Sequence, residues 1–306
     1  MTDPVDGRKG KWIEYVDETM VFGTTPDNPI MKAFPGELID FEIDGGAEFE
    51  TYKILKGPTD TDPLSCGVTR KTVEKAHTVK ISLKVTAMDL IPYVVMGATT
   101  TTFTPGTTPH PVSIGCIIGT EYCVVSGCVL TNHEVNFKDR KSVGELNLEF
   151  QGVERTDWGS DYIGTGSHAS AVPAAPLQLN DIAYMMYDGS SVGIVGLIMD
   201  SLKFGIKNNV EPVTERSVPW ASKITAWNYT GREISVDLGC SLTEMTMVDQ
   251  VLAGANNHTL EFSIGGDEFT ISSIAWTNAP SVKAAPAELI GMNLTNEPTA
   301  ARLAVA

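Results

Sequence analysis

The chain has 306 residues, 42% hydrophobic and 20% charged, with 22 Lys and Arg against 38 Asp and Glu for a formal charge of −16. That length holds two ordinary domains, and that apolar content excludes a disordered chain. The acid excess excludes a surface built to grip nucleic acid, which needs clustered Lys and Arg. No segment reaches the roughly 18 apolar residues of a membrane helix. The opening MTDPVDGRKGKWIEYVDE has no apolar core of signal-peptide length, so the expectation is assembly in a cytoplasm. Cys66, Cys116, Cys123, Cys128 and Cys240 form no C-x-x-C pair and are read as buried thiols. A metal or disulfide among the three cysteines at 116–128 is the alternative.

In chain order, residues 1–39 read as an N-terminal arm in which Trp12, Tyr15 and Phe22 become ordered on assembly. Leu38–Ile43 has strand character, and the polar, Pro-containing stretch Gly57–His77 reads as a long loop. Val79, Ile81, Leu83 and Val85 alternate with Lys80, Ser82 and Lys84, the pattern of a strand with one buried and one wet face. A short helix is expected from Asp89 as N-cap to Met96, with Pro92 in its first turn and Gly97 as its stop. Thr99–Pro111 reads as loop, and strands follow at 121–125, 127–135 and 145–150. The first domain is set at 40–152.

Residues 153–194, rich in Gly, Ser, Ala and Pro, read as a linker to a second domain at 195–306. There 197–206 is a strand and 208–231 a second long polar loop. Ile234–Leu242 alternates, a helix is expected over Thr246–Ala253, and Gly265-Gly266-Asp267 joins two alternating runs as a hairpin. This order repeats the first half. TAMDLIPYVVMGA at 86–98 matches TEMTMVDQVLAGA at 243–255 at an offset of 243 − 86 = 157. Thr131-Asn132 matches Thr277-Asn278, and Asn147-Leu148 matches Asn293-Leu294, at 277 − 131 = 146. One change of loop length, placed in the 99–111 loop, reconciles the two offsets.

Chemical motifs are weak. Gly189-Ser190-Ser191-Val192-Gly193 fits G-x-S-x-G, yet strand-like sequence follows it where a nucleophile elbow needs a helix. Asp40-x-Glu42-x-Asp44-Gly45 imitates a calcium loop but has Thr51 at the twelfth position. His77, His110, His133, His168 and His258 show no metal-ligand spacing, and the triplets at 228, 257 and 293 carry little weight without a secretory signal. No catalytic residue, cofactor site or metal site is assigned, and the chain is not read as an enzyme.

The GREISVDLGCSLTE strand, the IGGDEFTISSIAWTNAP hairpin and the return ELIGMNLT, with SGCVLTNHEVNFKDRKSVGELNLEFQG in the first half, give the chain its likeness. It resembles the tail tube (major tail) proteins of long-tailed phages and related head-tailed viruses, over about 40–152 and 195–300. The resemblance implies a mainly β chain with two antiparallel β-sandwich or partial-barrel domains, each flanked by one short α-helix. It implies a structural virion protein whose six-domain rings stack into a hollow tube that passes viral DNA without binding it specifically. Two domains per chain make the expected ring a homotrimer with pseudo-sixfold symmetry.

Partners implied are further copies of the chain and the tail terminator, tape-measure and baseplate or tail-tip proteins, with no membrane. The two long loops are the expected inter-subunit elements, through Thr61, Asp62, Arg70, Lys71, Glu74, Glu211, Glu215, Arg216, Trp220 and Trp227. The helices are expected to pack around the ring through Asp89, Leu90, Tyr93, Val94, Thr246, Met247, Gln250 and Val251. The competing reading is a two-domain β-sandwich adhesin or carbohydrate-binding module, with a hydrolase built on Ser191 third.

Overall fold

A computed structural model describes residues 10–18, 27–44, 47–55, 66–74, 76–88, 90–91, 109–170, 174–191, 197–217, 221–242, 249, 257–277, 290–298 and 301–305. The first half contributes β1 (Lys11–Asp17), β2 (Lys32–Ala33), β3 (Gly36–Ile43), β4 (Ala47–Leu55), β5 (Cys66–Glu74), β6 (His77–Val85), β7 (Val112–Ile118), β8 (Glu121–Phe137), β9 (Glu145–Gly152) and β10 (Glu154–Arg155). The second contributes β11 (Tyr184–Tyr187), β12 (Ser190–Ser191), β13 (Leu197–Ser217), β14 (Ala221–Leu242), β15 (His258–Ile264), β16 (Asp267–Ile274), β17 (Ile290–Thr295) and β18 (Arg302–Val305). The chain is mainly β, and all of these strands pair antiparallel.

The strands form layers over one core. An inner run is ordered β3-β6-β9-β8-β13-β14-β17, and two outer runs are ordered β2-β1-β7-β8-β10 and β12-β11-β15-β16-β18. Strand β8 belongs to two runs: its start pairs β7 and β10, its end pairs β9 and β13. Gly127, at φ 65, sits where it passes from one to the other, a conformation glycine adopts without steric cost. Alternation explains the packing. Val79, Ile81, Leu83 and Val85 are buried while Lys80, Ser82 and Lys84 lie on the other face. Phe204 of β13 meets Phe262 of β15 edge-on at 6.2 Å, and Phe262 stacks on Phe269 of β16 at 5.1 Å, joining inner and outer layers.

The pairing scheme occurs twice. Val112 faces Cys128 and Ile114 faces Val125 across a bulge; His258 faces Ile274 and Leu260 faces Ile271 across another, at 258 − 112 = 146. Ile81 pairs Leu148 as Leu238 pairs Leu294, at 238 − 81 = 157 and 294 − 148 = 146. Bulges also interrupt β3 between Leu38 and Asp40 and β13 between Met199 and Ser201, at 199 − 38 = 161. Tyr15 lies opposite Ile114 as Tyr187 lies opposite Leu260. A bulge is a built feature of a strand, so its recurrence at matching places is stronger than matching residues.

Several expectations change. Lys11–Asp17 is an inner strand of the first outer run, between β2 and β7, so the arm reading of 1–39 fails there. Cys66–Glu74 is strand β5, paired with β4, so Gly57–His77 is not one long loop, and residues 57–65 lie outside the described residues. Residues 208–231 are likewise not a loop: β13 and β14 pair from Leu197–Leu242 out to Ser217–Ala221. The stretch 153–194 is no free linker. Leu177 N donates to Val85 O at 2.8 Å, Gly144 N donates to Leu177 O at 2.8 Å, and Ala183 N donates to Ser263 O at 2.9 Å. The sequence places strands at 121–125 and 127–135 where the fold has the single strand β8. Of the expected helices, Leu90, Ile91 and Asp249 alone are described, and the rest lie outside the described residues.

Candidate functional site

The inner run has one face toward the core and one polar face, and register places the polar residues in rows from β3 to β14, one of them reaching β17. One row reads Glu42, Lys80, Glu149, Asn132, Lys207, Glu233. The next reads Asp40, Ser82, Asn147, Glu134, Gly205, Ser235, and a third Glu37, Lys84, Glu145, Asn136, Lys203, Asp237, Thr295. Apart from glycine, none of these residues is apolar. They hold eight carboxylates against four lysines, a net of four negative charges. Lys84–Glu37 at 2.7 Å and Lys203–Glu134 at 2.9 Å are cross-strand ion pairs, with Lys80–Glu42 and Lys207–Glu233 longer at 3.9 and 3.7 Å. Exposed pairs of this kind contribute about 0.2–1 kcal/mol each, so they order the face more than they stabilise the fold.

The two halves meet in the middle of this sheet. Asn132–Phe137 of β8 pairs with Leu202–Lys207 of β13. Just beyond, Arg140 clamps the bulge in β13: its Nε donates to Met199 O at 3.1 Å and its Nη2 to Asp200 Oδ1 at 2.8 Å. Asp200 is the extra residue of that bulge, and its other carboxylate oxygen accepts from Ser241 Oγ. His133 is buried at this seam opposite Leu148 and Ile206, and burial lowers its pKa to about 4.

Past Lys207, β13 leaves β8 and continues with β14 as an arm. A groove of about 700 Å³ opens there, lined by Asn132, Glu149, Lys207, Asn208 and Glu211 among others. Asn208 Nδ2 donates to Leu130 O at 3.0 Å and Arg232 Nε donates to Asn208 Oδ1 at 2.7 Å, fixing the base of the arm. Trp227 is buried and its Nε1 donates to Gly127 O at 2.9 Å. It is an anchor in its own chain and not an outward-facing contact. Glu211 is exposed, opposite Asn228. In backbone pairing Glu215 faces Lys223 and Arg216 faces Ser222, while Arg70, Lys71 and Glu74 of β5 face Thr51, Glu50 and Ala47 of β4. Thr61, Asp62 and Trp220 lie outside the described residues, as do Asp89, Tyr93, Val94, Thr246, Met247, Gln250 and Val251. Leu90 is buried in the core and has no face left for a neighbour.

The first outer run carries a strap that has no counterpart among the described residues of the second. Glu14, fully buried, accepts from Tyr162 Oη at 2.5 Å, His168 Nδ1 at 2.7 Å, Ala169 N at 2.8 Å and Trp12 Nε1 at 3.1 Å. His168 also stacks on Tyr122 and reaches Asp161 at 3.2 Å. Burial alone would lower the His168 pKa, but the Glu14 hydrogen bond and charge, then those of Asp161, outweigh it and the net shift is upward. A Cβ on Gly115 would lie 1.9 Å from Tyr162 Oη, so glycine is needed under the strap. In the second outer run Met186, Glu261 and Glu268 take the places of Glu14, Gly115 and Tyr122, read through the β11–β15 and β15–β16 registers. Neither the strap nor the Arg140–Asp200 clamp is signalled by a motif, since each joins residues far apart in sequence.

Ser191 stands in the two-residue strand β12, opposite Met186 and just after a hairpin turn at Asp188-Gly189 whose φ values are 49 and 75. That is a strand-to-strand turn, unlike the strand-to-helix elbow that presents a nucleophile. Asp40 of the calcium-like run is instead salt-bridged to Lys11 at 3.0 Å, and the Lys11 hydrogen bond holds its pKa below the usual range. Trp12 and Trp276 turn their indole N–H inward, Trp276 donating to Tyr187 Oη at 3.0 Å, so with Trp227 they form no exposed aromatic platform. The chain matches no model of a known protein family and no curated protein.

Proposed function

We propose that the chain is a structural tail tube protein of a head-tailed virus, polymerising into stacked rings around a lumen through which viral DNA passes. The observation that carries the reading is the seam inside the chain. The last inner strand of the first half, β8, accepts the first inner strand of the second half, β13. In the second half the start of the corresponding element is described, where Trp276 bridges to Asn296 as Leu130 pairs Phe150 and Thr277 N donates to Thr295 O at 2.9 Å. The first half begins with the counterpart of β13, the edge strand β3. On the ring reading, the joint that works within one chain is used again between chains, with β3 in the place of β13. Closing a sheet into a ring removes its edges, the usual liability of an open sheet.

The polar, acid-rich face of the inner run is then the lumen wall. Its excess of carboxylates repels phosphate, and its three rows, free of apolar side chains, offer bases nothing to stack on. The hairpin arms reach neighbouring subunits or the next ring. Resemblance to tail tube proteins supplies the count of six domains, hence three chains per ring. It also supplies the partners (tail terminator, tape-measure and baseplate or tail-tip proteins) and the place, the virion tail, with assembly in the host cytoplasm.

Electron microscopy of concentrated purified protein tests this reading. Hollow filaments or rings of uniform width, with threefold averages that are nearly sixfold, are expected. A protein that stays monomeric at every concentration and salt tried overturns the function, and true sixfold density in both halves overturns the trimer.

A further inference from the structure

Resting on the ring reading above, we infer that stacked rings grip each other at the seam: the turn between β8 and β9, through Lys141, enters the groove at the base of the hairpin arm of a second copy in the next ring. The two features lie at opposite ends of the same strands. β8 ends at Phe137, and residues 138–144 turn the chain into β9 at Glu145. The groove lies toward the other end of β9, where Glu149 and Gln151 line it together with Lys207 and Glu211. From Glu145 to Gln151, β9 rises about 20 Å. Strands of a closed barrel run obliquely from one rim to the other, so on the ring reading the turn faces one neighbouring ring and the groove the other.

The turn is held by its own residues and leaves one charge unused. Asp139 Oδ1 accepts from Lys141 N and Ser142 N, each at 2.8 Å. Lys138 pairs with Glu145 at 2.8 Å and Arg140 with Asp200 at 2.8 Å, while Gly144 N donates to Leu177 O at 2.8 Å. Lys141 is exposed and has no ion-pair partner among the described residues. A turn fixed before contact loses little freedom on binding, so an added ion pair counts for more there than on a mobile loop.

The groove is the complement of the turn. Glu149 is half-buried and Glu211 exposed, and neither carboxylate has an ion-pair partner among the described residues, whereas Lys207 lies 3.7 Å from Glu233. A smaller pocket beside the groove shares Glu149 and adds Glu42 and Asp44 against Lys80. Beyond Asn208, β13 pairs with β14 alone among the described strands, so its other edge is open beside the groove. Each chain has one such seam, hence one turn and one groove. A contact between two different patches on successive copies propagates as a filament, and a head-to-tail stack uses every turn and every groove once.

The test uses the full chain, with rings and filaments told apart by sedimentation and electron microscopy and folding checked by circular dichroism and thermal melting. Lys141→Glu and Glu211→Lys change exposed positions, so each is expected to melt as wild type does. Each alone sets like charges together. Both are expected to form rings but to need about tenfold or more protein before the rings stack, because the misfit recurs with every chain of the ring. An equimolar mixture of rings of the two variants is expected to stack near the wild-type concentration, since each turn then meets a groove of opposite charge. The double variant Lys141→Glu/Glu211→Lys is expected to do the same. Stacking of either single variant at the wild-type concentration overturns the contact, as does a mixture or a double variant that stacks no better than the single ones. Loss of rings as well as filaments from a folded single variant overturns its assignment to the joint between rings. Failure of the wild-type protein to form rings strikes the tube reading itself, a separate outcome.

Discussion

Thr131 and Thr277 make the same hydrogen bond in the two halves of the chain. Thr131 Oγ1 donates to Glu149 O at 3.0 Å, and Thr277 Oγ1 donates to Thr295 O at 3.0 Å. Donor and acceptor are both displaced by 146 residues, since 277 − 131 and 295 − 149 agree. The two hydroxyls differ in their surroundings: Thr131 is buried and Thr277 exposed. Thr131→Val is therefore expected to cost about 1 kcal/mol in urea denaturation, while water replaces the lost partner in Thr277→Val and its cost stays within about 0.5 kcal/mol. Equal losses would mean that the two sites are equally dry.

The strap over the first outer run hangs on the Glu14 carboxylate and its four donors. Glu14→Gln keeps the shape but loses the charge that Tyr162 and His168 face, and is expected to cost about 2 kcal/mol. The same substitution removes the main upward influence on His168, so its titration, followed by NMR, should move down in the variant. Because His168 is raised in the folded chain above its ordinary 6.5, its contribution is fully present below that value. It is lost as pH rises through the folded pKa. Gly115→Ala tests the strap from beneath, since its Cβ must displace the Tyr162 ring, and an unchanged His168 titration in that variant would show that the strap tolerates the push.

His133 works in the opposite sense. Burial at the seam depresses its pKa to about 4 from 6.5, so the fold requires it neutral. Its contribution is present above the unfolded pKa and is lost as pH falls toward the folded one, about 3 kcal/mol between pH 7 and pH 4. His133→Leu removes a buried ring whose Nδ1 has no partner and should flatten this part of the acid limb in denaturation curves compared across pH. An acid limb of unchanged slope would place the acid-sensitive groups elsewhere.

Legibility in the sequence followed burial. Val79–Val85 and Ile234–Leu242 alternate because one face packs and the other is wet, and the hairpin at Gly265-Gly266 is a turn with φ of 67 and 100 that glycine supplies. Strand β1 escaped because Glu14 interrupts its alternation, a carboxylate that only a distant strap makes tolerable inside. The 208–231 segment carries no regular apolar alternation, because apart from Asn208 and Trp227 at its base the residues whose burial is described stand exposed or half-buried, so periodicity has nothing to report. The polar face was visible as a phase but unlabelled, and register across the inner strands is what turned it into rows of charge. The Arg140–Asp200 clamp and the Ile39 bulge needed the pairing itself, because a single extra residue in a strand leaves no mark in composition.

The arm of β13 and β14 is the element whose removal should separate folding from assembly. Trp227 and Tyr229 tie its base to Gly127 O and Pro109 O, whereas Val213, Thr225 and Ala226 farther out are exposed. Pro212 and Trp227 face each other across the arm, so residues 213–226 can be replaced by Asn-Gly, a sequence suited to a tight hairpin turn. The described side chains of the excised part, at 213, 214 and 224–226, are exposed or half-buried and none belongs to the core, so the melting temperature is expected to stay within about 2 °C of wild type. Polymerisation is expected to stop, because on the tube reading the outer part of the arm meets a neighbouring subunit. Tubes of normal width and length from the shortened chain would show that the arm is ornament, and the other joints would then have to hold rings and stacks without it.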